Sequence, residues 1–120
     1  MEEPGLPARI ICVDNGNYLA NQVKNIFDED EVSIAYERNL EAVVDRFERD
    51  RFDLMPFSGG VARNQQSDAL DVLELISVKC PQTQILLFTI PGSLKFANQA
   101  LRAGAYHYST LPISDEELRL

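Results

Sequence analysis

Residues 84–114 constrain the fold of this chain more than any other stretch of its sequence. They open with a short, continuous apolar run at residues 85–88, which is typical of a strand that is covered on both faces, as in a parallel sheet. Thr89 follows at the end of that run. Pro91 and Gly92 then mark a turn, so the run is predicted to be a buried strand that ends before them.

A helix and a second strand complete this stretch. Ser93 is a residue type that caps helix N-termini, apolar side chains then recur at helical spacing, and Gly104 is a residue type that commonly ends a helix. Residues 106–109 predict the second strand, which Leu111 and Pro112 end. Because strands joined through a helix run parallel, the stretch predicts a right-handed strand–helix–strand unit. The recurring apolar residues are Phe96, Ala97, Ala100 and Leu101.

The same alternation of strand and helix fills the rest of the chain. Apolar residues at helical spacing predict the helices, and short apolar or alternating runs predict the strands. Five strands that alternate with helices predict a doubly wound α/β domain. Earlier strands are predicted at residues 9–13, 32–36 and 52–57, and earlier helices after the polar loop 14–17, from Asn39 and at residues 68–79.

Two features of this pattern lead to specific expectations. Pro56 lies inside the third predicted strand, and since proline cannot donate to a central ladder, that strand either ends near Met55 or contains a bulge. The helix at residues 68–79 is expected to turn its apolar residues toward the core. These residues are Leu70, Leu73, Leu75 and Ile76.

The length of 120 residues suits one domain with a core of ordinary size. Residues 1–7 are rich in proline and are expected to form a flexible lead-in to a domain over residues 8–120. Ser114 is expected to cap a last helix of which only residues 115–120 are present. That helix therefore looks truncated, and we expect the chain to be a fragment of a longer protein.

The composition argues against several classes of function. A net charge of −8 makes direct binding to nucleic acid or to anionic membranes unfavourable. No apolar run approaches the roughly 20 residues of a membrane span, and the N-terminus lacks the pattern of a signal peptide. Cys12 and Cys80 lie in apolar contexts without metal-binding spacing. We therefore expect both to be buried, reduced thiols and the protein to be cytoplasmic.

The candidate site comprises the residues that follow the predicted strands, because ligands of such sheets bind at the carboxyl ends of the strands. Asp14 and Asn15 follow the first strand, and Ser58 follows the third. Thr89 and Leu111 follow the fourth and fifth strands. If the sheet forms as predicted, these five side chains lie along one of its edges.

Some residues near this edge also have simpler structural explanations. Asp14 can cap the first helix instead of holding a metal ion, and the Thr89 hydroxyl can bond to backbone. His107, the only histidine, is expected to be a surface or helix-packing residue. Tyr106 and Tyr108 either mark an interaction face or pack partly buried. The residue types alone leave these alternatives open.

The pattern LLFT…GS…A..A..AGAYHYSTLP resembles the end of the receiver domain of bacterial response regulators. That family has a strand ending in Thr or Ser, a helix closing on Gly-Ala, a strand with an aromatic residue, and then Lys-Pro. The resemblance covers residues 8–120 in the order and lengths of the elements. It implies a flavodoxin-like, CheY-like fold: a five-stranded parallel sheet in the order 2-1-3-4-5 with helices on both faces. The fourth helix most resembles those of enhancer-binding transcriptional activators.

The resemblance also implies a chemistry for the strand ends. In the family, a pair of acids binds Mg²⁺, an aspartate accepts a phosphoryl group, and Thr and Lys residues position it. Asp14 matches the first acid, Thr89 matches the threonine, and Tyr108 matches the aromatic residue that moves with it. The sequence departs from the family at the other three positions. Asn15, Ser58 and Leu111 replace the second acid, the phosphoryl acceptor and the lysine.

These departures imply a degenerate receiver, or pseudo-receiver, of the two-component phosphorelay type. We expect no catalytic residue, no enzymatic activity, no phosphorylation of an aspartate, and weak or absent Mg²⁺ binding. The domain is expected to act through protein contacts that regulate an attached output domain or another signalling protein. A homodimer through helix four, strand five and helix five is the contact that the resemblance suggests, without direct contact to nucleic acid or membrane.

Two other functions stay open. The first is a receiver with non-standard chemistry that uses Asp14 together with Asp53 or Ser58. Asp53 can be the acceptor only if the third strand lies within residues 48–52. The second is a sensor that binds a small ligand in the pocket that Ser58 and Leu111 would line with neutral groups.

Overall fold

The computed structural model describes residues 8–16, 18–27, 32–62, 66–89 and 94–110. Within them the strands are β1 (Ala8–Val13), β2 (Val32–Glu37), β3 (Leu54–Ser58), β4 (Gln84–Thr89) and β5 (His107–Thr110). The α-helices are α1 (Tyr18–Ile26), α2 (Leu40–Arg49), α3 (Gln66–Lys79) and α4 (Leu94–Ala103), and a 3₁₀ helix covers Gly59–Ala62.

The five strands form one parallel sheet in the order β2-β1-β3-β4-β5. This architecture confirms the predicted fold class and strand order. β2 lies at one edge of the sheet, as its alternating sequence predicts. Its register with β1 runs without interruption from Ala8 opposite Val32 to Val13 opposite Glu37.

Helices cover both faces of the sheet. On one face, Leu19 and Val23 of α1 are buried against Cys12, Leu86 and Phe88. On the other face, α2, α3 and α4 bury a larger cluster against the sheet. Burial of each large apolar side chain stabilises the fold by about 1.5–3 kcal/mol. The helical members of the larger cluster are Leu40, Val43, Ala69, Leu73, Ile76, Phe96, Ala97 and Ala100.

The central strand β3 passes through Pro56, contrary to the expectation that it would end near Met55 or bulge. Its register with β4 is continuous from Leu54 opposite Gln84 to Ser58 opposite Phe88. Its ladder with β1 is carried by Ile10 opposite Leu54 and by Val13 opposite Phe57, in one constant register. The strand therefore tolerates the missing N–H of proline while the pairs on either side of it hold β1 in place.

Several expectations about helix faces and cysteines were wrong. Leu75 of α3 and Leu101 of α4 are each 38% exposed, so they lie at the margins of the apolar faces rather than in the core. Cys12 is buried, but Cys80 is only half-buried at the end of α3. Helix α3 also begins at Gln66, before the predicted start at Asp68.

Gly104 ends α4 with a φ of 122°, which confirms its predicted role as a helix terminator. A Cβ atom at this position would collide with the side chain of Ser77 on α3. Glycine is therefore required here for two reasons: the backbone conformation and the close approach of α3 and α4.

Other expectations lie outside the described residues. They are the lead-in at residues 1–7, the turn and cap at residues 91–93, the residue Leu111, and the last helix after Ser114. Among the helices that are described, none is long and apolar enough to cross a membrane.

Candidate functional site

The strand register brings the predicted site residues to one edge of the sheet. Val13 pairs with Phe57, so Asp14 and Ser58 stand at the same level on neighbouring strands. Ser58 in turn pairs with Phe88, which places Thr89 one residue further along β4. The carboxyl ends of β1, β3 and β4 therefore meet, as the sequence predicts.

The other predicted positions lie beside this edge. Asn15 follows Asp14 and is exposed. Tyr108 lies on β5 opposite Leu87 of β4. Leu111, which the resemblance aligns with the family's lysine, is outside the described residues. The structure thus places five of the six predicted residues relative to the edge, and the role of each stays a prediction.

The carboxylate of Asp14 is committed to the backbone. One of its oxygens accepts hydrogen bonds from the N–H groups of Leu19 at 2.9 Å and Ala20 at 3.2 Å. The other oxygen accepts one from Gly16 at 3.2 Å. The side chain is 7% exposed. Of the two roles left open by the sequence, the geometry shows the cap, because the N-terminus of α1 offers unpaired N–H groups and the positive end of its dipole.

Ser58 ends β3 directly beside this cap. It is 6% exposed and is followed at once by the 3₁₀ helix Gly59–Ala62. A serine hydroxyl is a weak nucleophile unless a general base activates it. Asp14, the carboxylate on the neighbouring strand, already accepts three backbone hydrogen bonds. The geometry therefore gives Ser58 a buried position beside a carboxylate that already serves the backbone at the start of α1.

Asp53 lies at the opposite edge of the sheet. It precedes β3, and its carboxylate accepts a hydrogen bond from the N–H of Arg9 at 2.8 Å. The length of β3 separates it from Ser58 by roughly 15 Å. Helix α2 continues to Arg49, so no strand lies within residues 48–52. The alternative that pairs Asp53 with Asp14 as a phosphoryl site is therefore wrong.

Cys12 adds a buried thiol next to Asp14. Burial, and secondarily the negative charge of Asp14, raise the pKa of Cys12 from 9.0 to about 12. The thiol consequently stays protonated at neutral pH, and a protonated thiol is a poor nucleophile and metal ligand.

The donors described at this edge do not match the acid pair that Mg²⁺ takes in receiver domains. Mg²⁺ prefers an octahedral shell of oxygen atoms that includes carboxylates. Asp14 directs both of its oxygens at backbone N–H groups, and Asn15 and Ser58 are neutral. Within the described part of the chain, no group of three or more His, Cys, Asp or Glu side chains could hold a metal ion.

The sequence predicted that Asp14 could cap α1, but it did not predict that the carboxylate would accept three backbone hydrogen bonds. An acid four residues before a helix is a weak signal, because several loop conformations satisfy it.

The ligand-sensor alternative depends on Leu111, so the described residues do not test it. A thermal-shift screen in which no metabolite raises the melting temperature would argue against it.

Comparisons with curated proteins identify response regulators. The chain is 34% identical to the response regulator protein PilR of Pseudomonas aeruginosa over 82 residues, which are 68% of this chain and 18% of PilR. It is 25% identical over 112 residues to the alginate biosynthesis transcriptional regulatory protein AlgB of Pseudomonas putida, covering 93% of this chain and 24% of AlgB. The chain thus spans about a fifth to a quarter of these relatives. No family model matches it.

Solved structures show the same architecture. The signal receiver domain of an HD domain-containing protein from Pseudomonas fluorescens superposes with a TM-score of 0.79 at 22% identity, covering 95% of this chain and 90% of that one. NtrX from Brucella abortus gives a TM-score of 0.79 at 18% identity, covering 95% of this chain and 25% of that one. At such identities the likeness establishes the fold, and the sites must be judged from this chain's own residues.

Proposed function

This chain is a receiver domain of a two-component response regulator, and we propose that it signals without phosphorylation of an aspartate. In this proposal it regulates an attached output domain, or another signalling protein, through protein contacts. It has no enzymatic activity of its own and works in the cytoplasm.

The position of Ser58 carries the proposal. Ser58 stands at the carboxyl end of β3, level with Asp14 of β1. The resemblance aligns Ser58 with the position at which the family's chemistry needs an aspartate. Serine lacks the carboxylate that forms an acyl phosphate, and its hydroxyl requires a general base. The neighbouring carboxylate of Asp14 already caps α1.

Weak or absent Mg²⁺ binding is the second part of the proposal. Phosphoryl transfer in such sites depends on a metal ion that neutralises the phosphoryl oxygens. Asn15 supplies no charge, and a bound ion would compete with backbone N–H groups for the oxygens of Asp14. That competition opposes the binding of the ion.

The proposal of an attached output domain rests on the relatives. PilR and AlgB are regulatory proteins of which this chain spans only 18% and 24%. Transcription regulation is therefore the output that we propose, with contact to DNA left to other parts of the protein. The resemblance suggests α4, β5 and the following helix as the contact surface, and Leu101 and Tyr106 are exposed there at 38% and 67%.

Incubation with acetyl phosphate and Mg²⁺, followed by intact mass spectrometry, tests the proposal. We expect no phosphoryl adduct on the natural chain. The matched control is the triple variant Asn15→Asp, Ser58→Asp, Leu111→Lys, which restores the acid pair, the acceptor and the cation and should gain one phosphoryl group. A stoichiometric adduct on the natural chain would overturn the proposal, and peptide mapping would show whether Ser58 carries it.

A further inference from the structure

A groove runs between α2 and α3 on the outer surface of the domain. At the amino ends of the two helices it opens into a cavity of about 650 Å³, and toward their carboxyl ends into one of about 260 Å³. Val44 of α2 lines both cavities. A third cavity, of about 440 Å³, continues past the carboxyl ends and shares Phe47 and Lys79 with the second. The floor of the groove is apolar, because Val72, Leu75 and Ile76 face α2.

The net charge around this groove differs in sign between its two ends. Glu41 and Asp68 line the amino end, and Arg51 and Lys79 line the carboxyl end. None of these four forms an ion pair with another described residue. Two acids also line the basic end. Asp50 is paired with Arg9, whereas Glu48 forms no ion pair with another described residue, so it reduces but does not cancel the charge of Arg51 and Lys79. The groove thus presents unpaired acids at one end and, at the other, two unpaired bases that outnumber one unpaired acid.

A surface with this polarity is complementary to itself. A two-fold axis perpendicular to α2 and α3 places the acidic end of one copy over the basic end of the other. The ten-residue helix α2 separates the two ends by about 15 Å. An apolar side chain that a monomer leaves exposed lies in the same groove, because Leu75 is 38% exposed and lines its second cavity. Both the charges and Leu75 would be covered by the same contact.

We propose that a second copy of this chain docks on the α2–α3 groove in this antiparallel arrangement. Glu41 and Asp68 of each copy face Arg51 and Lys79 of the other, around an apolar centre formed by Leu75. The overall charge of −8 opposes self-association, so the contact depends on these local pairs. It uses neither Ser58 nor the α4–β5 surface, and it is therefore independent of the proposed function.

Sedimentation velocity over a range of protein concentrations tests the proposal. We expect the natural chain to form a dimer that dissociates on dilution. Two double variants reverse the charges at one end of the groove: the first combines Arg51→Glu with Lys79→Glu, and the second combines Glu41→Lys with Asp68→Lys. Each should dimerise at least about tenfold more weakly than the natural chain, because every attractive pair occurs twice across the two-fold axis and becomes repulsive. Mixed in equal amounts, the two variants should form a heterodimer. The groove of the first variant is acidic at both ends, and the groove of the second is basic at both ends, so the two attract each other.

A matched control separates this contact from non-specific attraction and from dimerisation through α4. The variant Lys95→Glu, Arg102→Glu changes the net charge by the same amount on the exposed side of α4. It should keep the dimer of the natural chain and should not pair with Glu41→Lys, Asp68→Lys. Three results would each overturn the proposal: a natural chain that stays monomeric at millimolar concentration, a mixture that does not pair, or a control that loses the dimer or pairs non-specifically.

Discussion

The carboxylate of Asp14 links the end of β1 to the first turn of α1. The backbone N–H of Asp14 also donates a hydrogen bond to the carbonyl of Glu37 on β2 at 3.0 Å. The residue therefore connects two strands and a helix through four hydrogen bonds, three of them to its side chain. The residue that the resemblance aligns with a metal ligand of the family thus has a structural role in this chain.

Replacement of Asp14 by Ala should lower the free energy of unfolding by about 2 kcal/mol, because the variant loses the cap and leaves N–H groups of α1 without partners. The variant Asp14→Asn keeps one side-chain acceptor oxygen and should lose less. Urea denaturation of both variants measures the difference. Equal stability of Asp14→Ala and the natural chain would show that the cap contributes nothing.

Cys12 should make the domain sensitive to alkaline pH. Below pH 9 its thiol is protonated in the folded and unfolded states, so its contribution to stability is complete. Above pH 9 the unfolded thiol ionises while the folded thiol, whose pKa is raised to about 12, does not. The free energy of unfolding therefore falls through this window, by up to about 1.4 kcal/mol per pH unit.

The variant Cys12→Ala isolates this effect from other groups that titrate in alkali. Its free energy of unfolding should be lower at neutral pH, because the smaller side chain leaves a cavity, but should fall less steeply above pH 9. Chemical denaturation from pH 8 to pH 11 gives the two slopes. If the slopes are parallel, the raised pKa has no consequence for stability.

Helices α3 and α4 depend on Gly104 for their close approach. The variant Gly104→Ala should lose at least about 2 kcal/mol of stability, because alanine disfavours a φ of 122° and its Cβ collides with Ser77. Gly16→Ala is the control, since a Cβ at Gly16 meets no atom within 4 Å. Thermal melts of the two variants should show a lower midpoint for Gly104→Ala alone. A similar midpoint for both would contradict the packing described for α3 and α4.

The turn residues and apolar spacing of α3 and α4 predicted where these helices lie, but not how far each apolar stripe extends. Leu73, Ile76, Phe96 and Ala100 are buried as predicted, whereas Leu75 and Leu101 are partly exposed. All of these residues have the same chemistry and similar helical spacing. Each of these residues is buried or exposed according to how many neighbouring elements cover its side of the helix. The sequence of a single helix does not show which elements pack against it.

The whole domain separates its two surfaces of interest along the direction of the strands. Asp14, Ser58 and the acidic end of the α2–α3 groove lie toward the carboxyl edge of the sheet, because α2 and α3 begin there. Asp53 and the basic end of the groove lie toward the amino edge. The polarity of the groove is thus a consequence of the parallel sheet, which aligns α2 and α3 in one direction.

Much of the candidate site could be predicted because strand ends are local features. The apolar runs that precede Asp14, Ser58 and Thr89 place these residues at the ends of strands, and parallel pairing then brings them to one edge. The sequence spacing between Asp53 and Ser58 left two alignments of the third strand open. Only the pairing of β3 with both neighbours separated Ser58, at the site, from Asp53 at the far edge.

Local periodicity and turn chemistry determined the order of elements, the fold class and the identity of the strand-end residues, because each depends on neighbours in the chain. The tertiary structure alone decided that the Asp14 carboxylate serves α1, that Leu75 remains partly exposed, and that β3 continues through Pro56. It also decided that the two ends of one groove differ in the sign of their net unpaired charge. Those outcomes depend on hydrogen bonds and packing between segments that are far apart in sequence. A local sequence pattern therefore cannot predict them.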